Sequence, residues 1–171
     1  PHDCEMMLWN FYKLGIRVEI QDNDIFVPSA QDMKIHDDIG NNVPTIDDAP
    51  WPGFPADMMS VAIVTAVHCQ GTILFHEKMF ESRLYFVDKL ISMGARIILC
   101  DPHRCIVQGP NALEGQKLTS PDIRAGMALL IASLAAKGTS VIHNIEQIER
   151  GYGNIEEKLQ SLGAEITREN A

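Results

Sequence analysis

Positive charge is scarce in this chain and nowhere concentrated: 14 lysines and arginines stand against 23 aspartates and glutamates, for a net charge of −9. Without a Lys/Arg-rich run there is no footprint for nucleic acid, and any anion must be met by a few arginines gathered at one place. Long apolar runs are missing too. The greasiest stretches, 58–67 and 127–136, fall short of the roughly 18–20 residues that span a bilayer, so no membrane partner is expected. Cysteine is sparse: Cys4, Cys69, Cys100 and Cys105 are spread over 171 residues. That excludes a disulfide scaffold and fits reduced thiols in the cytoplasm. Paired CxxC elements are absent, so Cys100-Asp-Pro-His103-Arg-Cys105 reads as a β-hairpin, and no metal or cofactor is expected. His68, His76 and His143 have no second histidine at ligand spacing and read as structural. The chain opens on Pro-His-Asp, with neither an initiator Met nor a signal peptide, as expected of a piece whose start lies upstream.

What the sequence does have is repetition. With 46% hydrophobic and 22% charged residues it has the composition of a soluble globular domain. One phrase recurs as Tyr12-Lys-Leu-Gly15-Ile-Arg-Val18, Ser92-Met-Gly94-Ala-Arg-Ile97 and Ser161-Leu-Gly163-Ala-Glu-Ile166. Each glycine is placed to end an amphipathic helix at positive φ and to open a strand. The last of these helices lines up Ile155, Leu159 and Leu162 on one face. A second phrase runs from Asp57 to Gly71 and again from Arg124 to Gly138, each followed by a strand, Thr72–Phe75 and Thr139–Ile142. Both runs are apolar on nearly every side, which predicts helices buried on every side. Hairpin strands are expected at Ala95–Leu99 and Arg104–Gln108.

The unit is therefore βαβαββ, and the burial pattern puts the helices inside and the sheets outside. The expected fold is α/β (α+β), an inside-out α/β barrel with two full repeats, 43–110 and 111–171, after part of a third, 1–42. The front of the first repeat is not in this sequence. That leaves apolar surface to be covered and makes self-association plausible.

The residues with chemical character sit at strand-to-helix junctions. Asp57 follows the stiff loop Ala49-Pro-Trp-Pro-Gly-Phe-Pro55-Ala. An acid in a first helical turn complements the helix dipole, and one held this rigidly can also accept a proton from a hydroxyl. Arg124 occupies the same place 67 residues later. A cation there opposes the dipole by about 0.3–1 kcal/mol, a sign that a bound anion would reverse. Asp122 is placed to orient its guanidinium, or simply to form a salt bridge with it. Arg83, in Phe80-Glu-Ser-Arg83, and Arg150, in Glu149-Arg150-Gly-Tyr152, precede further helices. Repeat symmetry would bring all of them to one end of the domain around an anionic ligand. Trp51, Tyr152 and the Met58-Met59 pair read as packing residues.

In this order and spacing, Ala49-Pro-Trp-Pro-Gly-Phe-Pro-Ala-Asp57, Phe80-Glu-Ser-Arg83, Asp122-Ile-Arg124-Ala-Gly and Arg150-Gly-Tyr152 resemble the motifs of the UDP-N-acetylglucosamine enolpyruvyl transferase family, over essentially the whole chain. The resemblance implies transfer of an enolpyruvyl group from phosphoenolpyruvate to the sugar 3-hydroxyl, an early step of peptidoglycan synthesis. It implies that Asp57 binds the 3-hydroxyl and acts as general base, and that the main chain at Met79 contacts the amino sugar. Arg124 and Arg150 would hold phosphoenolpyruvate, with Asp122 and Arg83 supporting the closed site. Ser82, Glu149 and Gly153-Asn154 depart from the family's Asn, Asp and Glu-Arg. The family's catalytic-loop cysteine and its N-terminal lysine–asparagine pair have no counterpart here, so an N-terminal lobe is an implied partner. A non-catalytic relative that binds a sugar nucleotide or a protein, and a transferase acting on another hydroxyl such as the shikimate-pathway enzyme, stay open as alternatives.

Overall fold

The repetition in the sequence becomes repetition in the backbone of the computed structural model, which describes residues 2–169. A 3-10 turn and α1 (Glu5–Lys13) lead into the hairpin β1 (Glu19–Gln21) and β2 (Asp24–Phe26). Next come β3 (Thr45–Asp47), α2 (Ala56–Val67), β4 (Gly71–His76), α3 (Val87–Ser92), β5 (Arg96–Asp101) and β6 (Arg104–Gly109). The chain continues through β7 (Lys117–Thr119), α4 (Ile123–Ala135), β8 (Val141–His143), α5 (Glu146–Glu149) and α6 (Ile155–Ser161). In the central sheet the order is β3-β4-β6-β5, with β3 and β4 parallel and the remaining pairs antiparallel. β7 and β8 repeat the parallel β3–β4 pair.

The three phrase glycines end their helices in the same way. Gly15, Gly94 and Gly163 have φ of 78°, 107° and 92°. In each case the next residue's N–H reaches back to the helix: Ile16 to Phe11 O, Ala95 to Leu90 O and Ala164 to Leu159 O, at 3.1, 2.9 and 3.0 Å. These hydrogen bonds satisfy carbonyls that the helix end leaves bare, and glycine adopts the required left-handed conformation without steric conflict.

The interior of α2 is where the patterning placed it. α2 buries Met59, Ala62, Ile63, Val64, Ala66 and Val67, and the alternating residues Ile73, Phe75, Cys105 and Val107 of β4 and β6 are fully buried with them. The hairpin reading of 100–105 also holds: Leu99 faces Cys105 across the β5–β6 ladder, and burial pushes the Cys105 thiol up to about 12.

α4 differs from the expectation of burial on every side. Ala125, Ala128, Leu129 and Ala132 are buried, but Leu134 is 42% exposed. Two strands are too narrow a cover for this helix. The strand expected after Gly163 is also not formed, since 164–169 has no ladder partner. Among the described residues, β5 is laddered in the central sheet only by β6, and no counterpart of β6 follows α6. A hollow of about 710 Å³ lies there, lined by Leu130, Leu134, Ile142, Ile155 and the 162–168 stretch. At the other end of the chain, Trp9, Tyr12, Ile20, Ile25 and Phe26 are exposed apolar side chains.

Gly126 marks the tightest approach of α4 to its surroundings. A Cβ there would come within 2.2 Å of Ser120 Oγ and 2.7 Å of Ile148 Cγ1. Gly126→Ala is therefore expected to destabilise by about 1–3 kcal/mol through overpacking, despite alanine's better helix propensity. Gly153→Ala, with open space around its Cβ, is expected to be neutral. Urea unfolding midpoints check both, and an unshifted midpoint for Gly126→Ala contradicts the packing.

Candidate functional site

Asp57 is delivered by a loop that is locked from within. Ala49 N–H donates to Phe54 O at 3.1 Å and Gly53 N–H to Pro50 O at 2.8 Å, while Phe54 is buried and anchors the turn. Pro55 then starts α2 with φ −65°, the value its ring imposes. Asp57 emerges in the first turn with its side chain 69% exposed. Trp51, expected to pack, is instead 67% exposed on the same loop.

At the start of α4, Asp122 is a side-chain cap. Its Oδ1 accepts the N–H groups of Arg124 and Ala125 at 2.8 and 3.0 Å, two donors the helix would otherwise leave unpaired. It does not orient the guanidinium. That group pairs with Asp57, to which Arg124 Nε donates across the gap between the helices. The two first turns are joined a second time underneath, where buried Ser60 donates its Oγ–H to Arg124 O at 3.2 Å. An ion pair this exposed contributes about 0–1 kcal/mol, so an incoming anion can take the guanidinium at little cost.

Below this rim lie two buried acids that the sequence reading did not single out. Asp48 and Glu77 are 0% and 1% exposed. They follow β3 and β4 directly, and the register that sets Asp47 beside His76 makes them neighbours. Asp48 Oδ1 accepts Lys78 N–H at 2.5 Å and Oδ2 accepts Met79 N–H at 3.3 Å. Glu77 is raised to about 8, first by burial, then by its hydrogen bond to Asp48 and that residue's charge, with Arg83 and the Phe80 N–H pulling the other way. The available signal was an acid directly after each of two neighbouring strands.

Ser82 takes φ 62°, and this turn stacks the Arg83 guanidinium 4.1 Å above the Phe80 ring. Arg83 Nη1 and Glu77 Oε1 are both buried without a hydrogen-bond partner among the described residues. Glu77, Arg83, Asp122 and Arg124, with Met59 and Ser60, line one small cleft between α2 and α4. The Met79 side chain is half exposed and its N–H is already taken by Asp48.

Arg150 is the outlier. It ends α5 and donates to Gln147 Oε1 at 3.3 Å, outside the residues lining the cleft. The turn that carries it still packs on α4: a Cβ at Gly151 would touch Ile123 Cγ2 at 2.8 Å. Its neighbour Glu149 pairs with Arg168. His68 caps the far end of α2, its pKa lowered by burial. Replacing Asp122 by Ala should remove about 0.5–2 kcal/mol of stability through the lost cap. Chemical unfolding checks this, and an unchanged midpoint would show that Asp122 does not act as a cap.

Residues 5–159 match the family described as EPSP synthase (3-phosphoshikimate 1-carboxyvinyltransferase). Among curated relatives, the protein of Bradyrhizobium diazoefficiens named UDP-N-acetylglucosamine 1-carboxyvinyltransferase is 61% identical over 92% of this chain. The proteins of that name from Bacteroides thetaiotaomicron and Treponema denticola are 57% and 52% identical over 93% and 97%. The chain spans only 37–39% of the length of these relatives. Among solved structures, the enolpyruvyl transferase NikO of Streptomyces tendae superposes over 97% of this chain and 37% of its own, with a TM-score of 0.83 at 24% identity. EPSP synthase from Acinetobacter baumannii superposes over the same shares, with 0.66 at 17%. These two likenesses concern the fold alone.

Proposed function

The chain belongs to the EPSP synthase family of enolpyruvyl transferases, and on that premise we propose that it is the C-terminal, substrate-binding part of a transferase. That enzyme moves the enolpyruvyl group of phosphoenolpyruvate to the 3-hydroxyl of UDP-N-acetylglucosamine and releases phosphate, a cytoplasmic step towards peptidoglycan. The names of relatives 52–61% identical support the choice of acceptor. The observation that carries the reading is the exposed Asp57–Arg124 pair spanning two helix N-termini.

In the free site the acid and the guanidinium satisfy each other. An anionic donor binding at Arg124 draws the guanidinium away and sits at the positive end of the α4 dipole. Asp57 is then left with an unpaired carboxylate on a rigid turn, suited to take the proton of the sugar hydroxyl as its oxygen bonds to the donor's central carbon. That proton transfer completes the activation of the acceptor. The donor's double bond takes a proton at its terminal carbon from a group outside this chain, and expulsion of phosphate with loss of a proton from that carbon restores the double bond. Arg83, and Arg124 once it has left Asp57, would stabilise the charge that gathers on the phosphate. Arg150 would join them by swinging from Gln147.

Joined to the first lobe of the Bradyrhizobium relative, the chain is expected to support transfer of enolpyruvyl to UDP-N-acetylglucosamine, with little or no turnover alone. Asp57→Asn in that enzyme should lower kcat by about 10²–10⁴-fold while changing sugar-nucleotide affinity only several-fold. Phosphate release assays read the first and calorimetry the second. Undiminished kcat in the variant removes the general base from the proposal, and full turnover by the chain alone removes the need for a second lobe.

A further inference from the structure

We infer that Glu77 is a positioning residue of this site: buried beside Asp48 beneath the rim, it holds the 78–83 segment, and with it Arg83, against the cleft between α2 and α4. The inference deepens the proposed transferase reading and rests on it for its functional consequence.

The geometry is specific. Asp48 receives the N–H groups of two consecutive residues, Lys78 and Met79, and the strand register sets buried Glu77 beside it. The segment that follows is the one that turns at Ser82 and stacks Arg83 on Phe80. Two carboxyls buried this completely can sit side by side only if one of them carries a proton. Asp48 accepts two backbone N–H bonds, so Glu77 is the partner that keeps it. Glu77 N–H is itself pinned to His103 O at 2.7 Å, and its own carbonyl lies 2.9 Å from His103 Nδ1, so the residue has little room to move away. Its second carboxyl oxygen, Oε1, is buried and unpartnered on the cleft side, as is Arg83 Nη1.

The charged and titratable groups around Glu77 are Asp48 after β3, Arg83 in its own loop, His103 in the β5–β6 turn, and Asp122 and Arg124 across the cleft at α4. Neighbouring Lys78 turns its ammonium to Asp47. Arg83 favours the Glu77 anion, but burial and the Asp48 charge outweigh it. Losing the Glu77 proton therefore sets two buried anions against each other and loosens the turn they hold. A carboxyl whose folded pKa is raised lends its stabilisation at low pH and loses it as pH rises towards that pKa. The window here runs from ordinary carboxylate values up to about 8.

Two measurements test the inference. In the chain alone, ¹³C NMR of the Glu77 carboxyl should titrate well above the usual carboxylate range, and the backbone amides of Lys78 to Arg83 should shift with the same midpoint. In the two-lobed enzyme, kcat/KM for the sugar nucleotide should fall on the alkaline side with that midpoint. Glu77→Gln, which stays neutral and keeps a donor, should retain activity within about threefold at pH 7 and lose that alkaline fall. Glu77→Ala should raise KM about tenfold at neutral pH. Amides of 78–83 that ignore the Glu77 titration overturn the inference, as does an alkaline fall that persists in Glu77→Gln. Absence of any sugar-nucleotide transfer in the unsubstituted enzyme would instead strike the transferase reading and leave the NMR result standing.

Discussion

Two buried helices, α2 and α4, begin side by side, and the rest of the site follows from that. Each helix start carries partial positive charge. At one of them the sequence adds an acid, at the other a cation. The acid complements its own helix, whereas the cation is unfavourable on its helix and is offset by the acid of the neighbour. Asp57 and Arg124 are thus mutually dependent, and the pair sits where solvent keeps it weak. Beneath it, Ser60 on the Arg124 carbonyl and the Asp122 cap hold the two first turns in place whether or not the ion pair is made.

The layers of the site differ in energetic character. On the rim the charges are exposed, cheap to separate and free to exchange partners. One layer down, Asp48 and Glu77 are almost wholly excluded from water, and rearranging them is expensive. Arg83 bridges the layers, its guanidinium spread on Phe80 with one nitrogen buried at the cleft. On the proposed reading, an exposed rim above a buried base would let a ligand redirect Arg124 without disturbing the loop that carries Arg83.

Much of this was legible in the sequence, for physical reasons that can be named. The glycine phrases announced three helix ends because few other residues accept that conformation, and α2 was recognisable from apolar residues on every side. Asp57, Arg83, Asp122 and Arg124 stood out because acids and cations at strand-to-helix junctions face a common end. Other features depend on tertiary contacts. The partner of Arg124 is set by helix packing across 67 residues and not by nearby Asp122, whose side chain is used up in capping. Asp48 and Glu77 gain their character from burial and strand register, neither of which shows in a local pattern. The partial exposure of α4 follows from its cover by β7 and β8, and whether 164–169 ladders depends on a pairing partner, which no local pattern reveals.

The central claim is that Arg124 exchanges Asp57 for an anionic ligand. The most direct measurement is the ¹⁵N–¹H signal of Arg124 Nε as phosphoenolpyruvate is added in the presence of UDP-N-acetylglucosamine, at constant ionic strength. A saturable shift of that signal, accompanied by a shift of the Asp57 carboxyl carbon as its partner leaves, is the predicted result. An Arg124 signal that stays put at saturating ligand, or moves while Asp57 does not, would contradict the account.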